Sequence, residues 1–168
     1  MCSNSYTHGK DNSTIHLSLP LVQQNIITTW LSSISCKQWT NILVVDDHKN
    51  NLDLLEQNLQ ESYWKIYTAH SGSKALESIK NAKLDLVLMD LAMPEMDGFE
   101  TIKSVKKINA QLPVIACSAF TTTDFQDRAF DSGCESYITK PIDFEKLILQ
   151  IQQTNLLFEI KNLLQFTS

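Results

Sequence analysis

The run Leu84-Asp85-Leu86-Val87-Leu88-Met89 ends on a carboxylate, Asp90, at the mouth of a loop marked by Pro94 and Gly98. A nearly unbroken aliphatic run has no polar face to give to solvent, so it reads as a strand covered on both sides. The chain uses the same device earlier, where Ile42-Leu43-Val44-Val45 runs straight into Asp46 and Asp47. Two such strands side by side would bring three acids to one sheet edge. Like charges that close repel unless a cation sits among them, and an oxygen-only set with room for water and phosphate suits Mg²⁺.

Strands buried on both faces need helices on both faces. From Asn41 to about Gln153 the sequence alternates short β-type runs with helix-period segments, as expected of a doubly wound α/β domain with a parallel sheet. The strands are expected at Ile42–Val45, Lys65–Ala69, Leu84–Met89, Val114–Ser118 and Ser136–Ile138. Between them Leu52, Leu55 and Leu59, then Ala75, Leu76 and Ile79, then Phe99, Ile102, Val105 and Ile108 recur at helical spacing. Lys65-Ile66-Tyr67-Thr68 alternates polar with apolar and reads as an edge strand, whereas Ile42–Val45 and Leu84–Met89 read as central.

In open parallel sheets, ligands gather at the carboxyl ends of the strands. The polar punctuation falls there: Asp46 and Asp47 after the first strand, Asp90 after the third, Ser118 at the fourth, Lys140 before Pro141 just past the fifth. Toward phosphorus a carboxylate needs mainly in-line positioning and charge neutralisation, so Asp90 is a plausible acceptor. Ser118 offers a hydroxyl donor and Lys140 a compact positive charge. Asp46 and Asp47 also precede a helix, but a cap uses one Asp, not two. Asp97, followed by Gly98, reads as a loop or cap residue.

These residues resemble the receiver domains of two-component response regulators. The resemblance is carried by Val44-Val45-Asp46-Asp47, by Met89-Asp90 with Met93-Pro94 and Met96-Asp97-Gly98, by Ala116-Cys117-Ser118-Ala119, and by Tyr137-Ile138-Thr139-Lys140-Pro141, in matching order and spacing. It implies a flavodoxin-like five-stranded sheet of order 2-1-3-4-5. It implies that Asp90 accepts a phosphoryl group from a phosphohistidine donor, a sensor histidine kinase or a histidine phosphotransfer protein. Asp47, Asp90 and the backbone carbonyl of Ala92 would ligate Mg²⁺, with Asp46 holding the ion largely through water. Ser118 would swing toward the phosphoryl group, Lys140 would pair with it, and Tyr137 would rotate inward. Asp47-His48-Lys49-Asn50-Asn51 with Leu52, Leu54 and Leu55, and the Met93–Gly98 run, look more like receivers fused to or served by hybrid sensor kinases than like those of DNA-binding regulators.

On this reading the chain is a signalling switch and not a turnover enzyme, catalysing at most its own phosphorylation and dephosphorylation. Two alternatives are a receiver-like scaffold that works without phosphorylation and an aspartyl-phosphate phosphohydrolase. The latter usually wants a second acid two positions after the nucleophile, where Ala92 stands. The formal charge is −5 and Arg128 is the single arginine, which disfavours direct nucleic-acid binding. No run is long and apolar enough to span a membrane, no secretory pattern opens the chain, and Cys2, Cys36, Cys117 and Cys134 lack metal or disulfide-framework spacing, so a cytoplasmic protein is expected. His8, His16, His48 and His70 show no metal-binding spacing.

The 168 residues divide into an N-terminal extension over 1–40, a receiver domain over 41–153 and a C-terminal helical extension over 154–168. The Ser-, Thr- and Asn-rich opening reads as disordered, while Leu19, Val22, Ile26, Ile27, Trp30, Leu31 and Ile34 predict an amphipathic helix over 19–34. At the other end Leu147, Ile148, Ile151, Leu156, Leu157, Ile160, Leu163 and Leu164 continue an apolar periodicity, and both terminal stripes are candidates for packing on the domain, on each other or on a second copy. No output domain is recognisable after Gln153, so output is expected through a downstream protein target or a self-dimer, unless the chain is a fragment of something larger.

Overall fold

The computed structural model describes residues 41–60, 64–94 and 96–165. The extension over 1–40, with its expected helix at 19–34, lies outside the described residues. Strand β1 (Asn41–Val45) is followed by helix α1 (Lys49–Gln60), β2 (Lys65–Ala69), α2 (Gly72–Asn81), β3 (Leu86–Asp90), α3 (Gly98–Ile108), β4 (Val114–Ser118), α4 (Thr123–Asp131), β5 (Ser136–Thr139) and α5 (Phe144–Gln165). All four strand pairings are parallel and the order is β2-β1-β3-β4-β5. The expected α/β fold and the edge position of β2 are both observed.

Strand alternation deals the core into two layers. Leu43, Val45, Val87, Met89, Val114 and Ala116 point to one face, where α2, α3 and α4 contribute Ala75, Ile79, Phe99, Ile102, Val105 and Ala129. Ile42, Val44, Leu86, Leu88, Ile115 and Cys117 point to the other, against Leu52, Leu55 and Leu59 of α1 and Leu147 and Ile151 of α5. Every residue of β3 and β4 is buried. That is why these runs tolerate no alternation of polar residues.

The observed β3 begins two residues later than expected and includes Asp90. Asp85 explains the later start: its backbone N–H donates to the Asn41 carbonyl at 2.8 Å, and its Oδ2 accepts from the Asn41 N–H at 3.0 Å. It ties β3 to the head of β1 instead of extending the buried strand. Helix starts follow capping chemistry, with Ser71 Oγ accepting from the Lys74 N–H before α2 and Asp97 Oδ1 accepting from the Glu100 N–H at 2.8 Å before α3. The cap reading of Asp97 therefore holds. Helix α5 continues without a break across 153 and 154; Thr154 is buried and Phe158 packs against the core.

Candidate functional site

Parallel strands all end on the same edge, so β1, β3, β4 and β5 project their last residues and following loops to one rim. The register sets Asp90 beside Cys117, one residue before Ser118, and Ser118 beside Thr139, one residue before Lys140. The Lys140 N–H donates to the Ser118 carbonyl at 2.7 Å, which carries the lysine over the sheet edge. Its side chain then reaches back between the acids. Lys140 Nζ lies 2.7 Å from Asp46 Oδ2 and 2.6 Å from Asp90 Oδ2.

The two carboxylates share that cation unequally. Asp46 also accepts from the His48 N–H at 2.9 Å and from Asn51 Nδ2, which lies 3.0 Å from each of its oxygens. Burial alone would push Asp46 up, but these hydrogen bonds and the lysine charge outweigh it and hold its carboxyl below the usual range. Asp90 has fewer partners, Lys140 and the Ala92 N–H at 3.0 Å on Oδ1. Burial wins there, helped by the negative Asp46, and Asp90 stands above the usual carboxylate range. Lys140 is pushed down by burial, yet both acids overcome this and raise it. The result is a fixed anion at Asp46 and a more readily protonated acid at Asp90, bridged by one ammonium.

Asp47 sits outside this triad. Its Oδ1 is 2.8 Å from His48 Nδ1, and among the described residues Asp46, Asp47 and His48 offer ligand atoms that all lie within 4.8 Å of one another. The sequence spacing of the histidines does not suggest that closeness; it arises because the Asp46–His48 turn folds back on itself. Ala92 is exposed, and its N–H meets Asp90. Ser118 is fully buried, and its Oγ accepts from the Phe120 N–H at 3.2 Å. Tyr137 is half-buried, and its hydroxyl donates to the Phe120 carbonyl at 2.6 Å. Ser118 and Tyr137 thus grip one residue from its two ends. Phe120 itself is exposed and stacks on Phe125 with ring centroids 4.2 Å apart.

Two members of this arrangement carry no sequence signal of their own. Asn51 lies in the first turn of α1, where side chains lean toward the helix N-terminus, so a short amide there reaches the strand end before it. Its spacing of five from Asp46 is the clue. Phe120 acts through its backbone, which no residue-type argument reveals.

Residues 42–152 match the response regulator receiver domain. The chain belongs to this family. Among its relatives, the transcriptional regulatory protein ZraR of Klebsiella oxytoca is 38% identical over 113 residues, covering 67% of this chain and 26% of ZraR. The chain therefore spans about a quarter of the length of that relative. A CheY-like receiver domain from Methanospirillum hungatei JF-1 superposes with a TM-score of 0.70 at 24% identity, covering 74% of this chain and 99% of that one. NtrX from Brucella abortus does so with a TM-score of 0.73 at 26% identity, covering 78% of this chain and 30% of NtrX. As a receiver domain, the chain is a signalling module of two-component systems, as the motifs imply. No helix among the described residues is long and apolar enough to cross a membrane.

The family implies a divalent cation, and the donor set fits one. Two buried carboxylates need more positive charge than one lysine supplies, and all the donors on the Asp46, Asp47 and Asp90 side chains are hard oxygens. Asp46 already has both oxygens engaged, whereas Asp47 is partly exposed and has Oδ1 against the exposed His48 ring.

Proposed function

We propose that this receiver domain is a phosphoacceptor switch in which Asp90 takes a phosphoryl group from a phosphohistidine donor, a sensor histidine kinase or a histidine phosphotransfer protein. The observation that carries the reading is Lys140 Nζ, held at hydrogen-bond distance from both buried acids. Asp47, Asp90 and the Ala92 carbonyl would hold Mg²⁺, with Asp46 acting through water. Bound there, the ion would neutralise charge on the acids and on the incoming phosphate.

The chain's own residues have separable tasks. Asp90 presents a carboxylate oxygen to phosphorus; the bond from phosphorus to the donor's imidazole nitrogen breaks, and the imidazole keeps the electron pair. Asp46, fixed by Asn51 and the His48 N–H, stays ionised and does not compete as an acceptor. Lys140 exchanges a carboxylate oxygen for a phosphoryl oxygen. Ser118 uses one lone pair on the Phe120 N–H and keeps its own proton to donate to the phosphoryl group. Any displacement of Ser118 is passed to the Phe120 peptide and thence to the Tyr137 hydroxyl. This supports a two-state surface centred on Phe120 and Tyr137, switched by one covalent charge.

Output through a downstream protein fits a chain whose formal charge is −5. Its one arginine lies over the Phe99 and Phe125 rings. Pairing with a hybrid sensor kinase rests on the resemblance at Asp47–Leu55 and Met93–Gly98. The test is intact-mass spectrometry of the chain with Mg²⁺ and acetyl phosphate. The wild type should gain one phosphoryl mass and Asp90→Asn none. No gain at saturating donor would leave the phosphorylation-independent scaffold, and sustained phosphate release from monoesters would favour the phosphohydrolase.

A further inference from the structure

The turn between β1 and α1 sets an imidazole against two of the acids. The His48 N–H donates to Asp46 Oδ1 at 2.9 Å, and the His48 carbonyl accepts from the Asn51 and Leu52 N–H groups in the first turn of α1. Its backbone is therefore tied on both sides, and only the ring can turn. The ring places Nδ1 2.8 Å from Asp47 Oδ1 and 3.8 Å from Asp46 Oδ1. The side chain is 72% exposed, so polar attraction and not packing sets that position.

Asp46 stands between two nitrogens. Lys140 Nζ lies on its Oδ2 and the His48 ring on its Oδ1 side. The lysine serves Asp46 and Asp90, and among the described residues Asp47 pairs with His48 alone. A neutral imidazole at this distance from a carboxylate shares one proton with it, carried on Nδ1. With a divalent ion in that proton's place, Nδ1 and Oδ1 each give a lone pair to the metal and the ring keeps its proton on Nε2. We propose that His48 Nδ1 is a ligand to the cation held at Asp47, and that it makes this pocket favour transition ions such as Fe²⁺, Co²⁺, Ni²⁺ or Zn²⁺ over Mg²⁺.

Geometry and donor chemistry agree. Bonds of about 2.1 Å to oxygen and nitrogen set neighbouring ligand atoms about 3.0–3.4 Å apart. The two separations at Nδ1 bracket that range, and the ligand atoms of Asp46, Asp47 and His48 all lie within 4.8 Å of one another. Small rotations of an exposed ring and a partly exposed carboxylate close the difference. Asp47 and His48 are consecutive residues of one turn, so an ion bound by the first finds the second already in place. Carboxylates and water suit Mg²⁺, whereas an imidazole adds affinity for the later divalent ions. The three acids offer only oxygen, so changing His48 isolates the nitrogen's share of the preference.

The proposal rests on the acids holding a divalent cation and not on phosphoryl transfer. Isothermal titration of the 168-residue chain with MgCl₂ and with CoCl₂ measures both affinities, with Cys2 and Cys36 replaced by serine and His8 and His16 by glutamine to remove competing donors. The chain should bind Co²⁺ more tightly than Mg²⁺. His48→Gln should fold as before, since the side chain it replaces is exposed, and should weaken Co²⁺ about tenfold, the lower end of what a missing supporting group costs a metal site. Mg²⁺ binding should weaken by less, so the preference shrinks. Proton NMR of the Co²⁺ form should show a far-shifted, exchangeable imidazole N–H that His48→Gln lacks. Binding of neither ion would remove the cation reading itself, and this proposal with it. Mg²⁺ binding with a Co²⁺ affinity that ignores His48→Gln, equal losses for the two ions, or a Co²⁺ form without the shifted N–H would overturn the His48 assignment and leave that reading standing.

Discussion

Replacing Lys140 by methionine keeps the aliphatic stem and removes the cation that two buried carboxylates share. Breaking a buried ion pair by removing one partner costs about 3–5 kcal/mol, because the remaining charge is left uncompensated. One ammonium serving two acids argues for the upper end. Two features argue for the lower: Lys140 is 21% exposed, so water can reach the gap, and Asp90 can take up a proton. The expected loss at pH 7 without divalent cations is about 3 kcal/mol. Its pH dependence follows from the directions of the shifts. The raised Lys140 contributes stability that is fully present below its unfolded value of 10.5, so it does not titrate between pH 4 and 7. The lowered Asp46 contributes stability that is present above 3.8 and lost only as the pH falls further. Asp90 has the opposite sign, since its raised value means that the folded chain loses stability as the pH rises through it. Without the ammonium Asp90 rises further, so the variant recovers stability on acidification and its deficit narrows as the pH is lowered. Urea unfolding followed by far-UV circular dichroism in EDTA, on the wild type, Lys140→Met, Asp90→Asn and the double variant, measures each quantity. The double variant should lose less than Lys140→Met alone, and Mg²⁺ should restore part of the loss. A deficit under about 1 kcal/mol at pH 7, or one that does not narrow on acidification, would refute the reasoning.

Other perturbations have simpler readouts. An added Cβ at Gly98 would run into the Asp90 carbonyl oxygen and Leu91 Cα, both backbone atoms that cannot step aside, so Gly98→Ala should lose about 3 kcal/mol by urea unfolding. Cys117 and Cys134 are buried and both thiols are pushed up to about 12, mainly by burial. In a chain with Cys2 and Cys36 replaced by serine, a thiol reagent at mildly alkaline pH should find almost no reactive thiol in the folded protein and two after unfolding.

The sequence disclosed most where burial leaves a strand no choice. Ile42–Val45 and Val114–Ser118 are aliphatic because both faces are covered, and the same covering forces their ends to carry whatever polar groups the site needs. Lys65–Ala69 carries Lys65 and Thr68 because at the sheet edge these two side chains are exposed. Leu84 and Asp85 misled the strand boundary because apolar continuity does not distinguish a strand residue from one buried just before it. Among the site residues, Asp46, Asp90 and Lys140 were legible since charges at buried strand ends demand a reason. Asn51 was not, because an amide in the first turn of a helix is ordinary until its neighbour is known to be a buried anion. The linkage through Phe120 was invisible for a deeper reason: it uses a peptide group that every residue possesses.

Helix α5 begins four residues after Lys140 and runs 22 residues to the far side of the sheet. At 1.5 Å per residue that is a rod of about 33 Å. A tilt of about 5° at its Phe144 end would sweep the other end through about 3 Å, about twice the rise of one helical residue. A rod that starts this close to Lys140 magnifies at its far end any change of angle at Phe144.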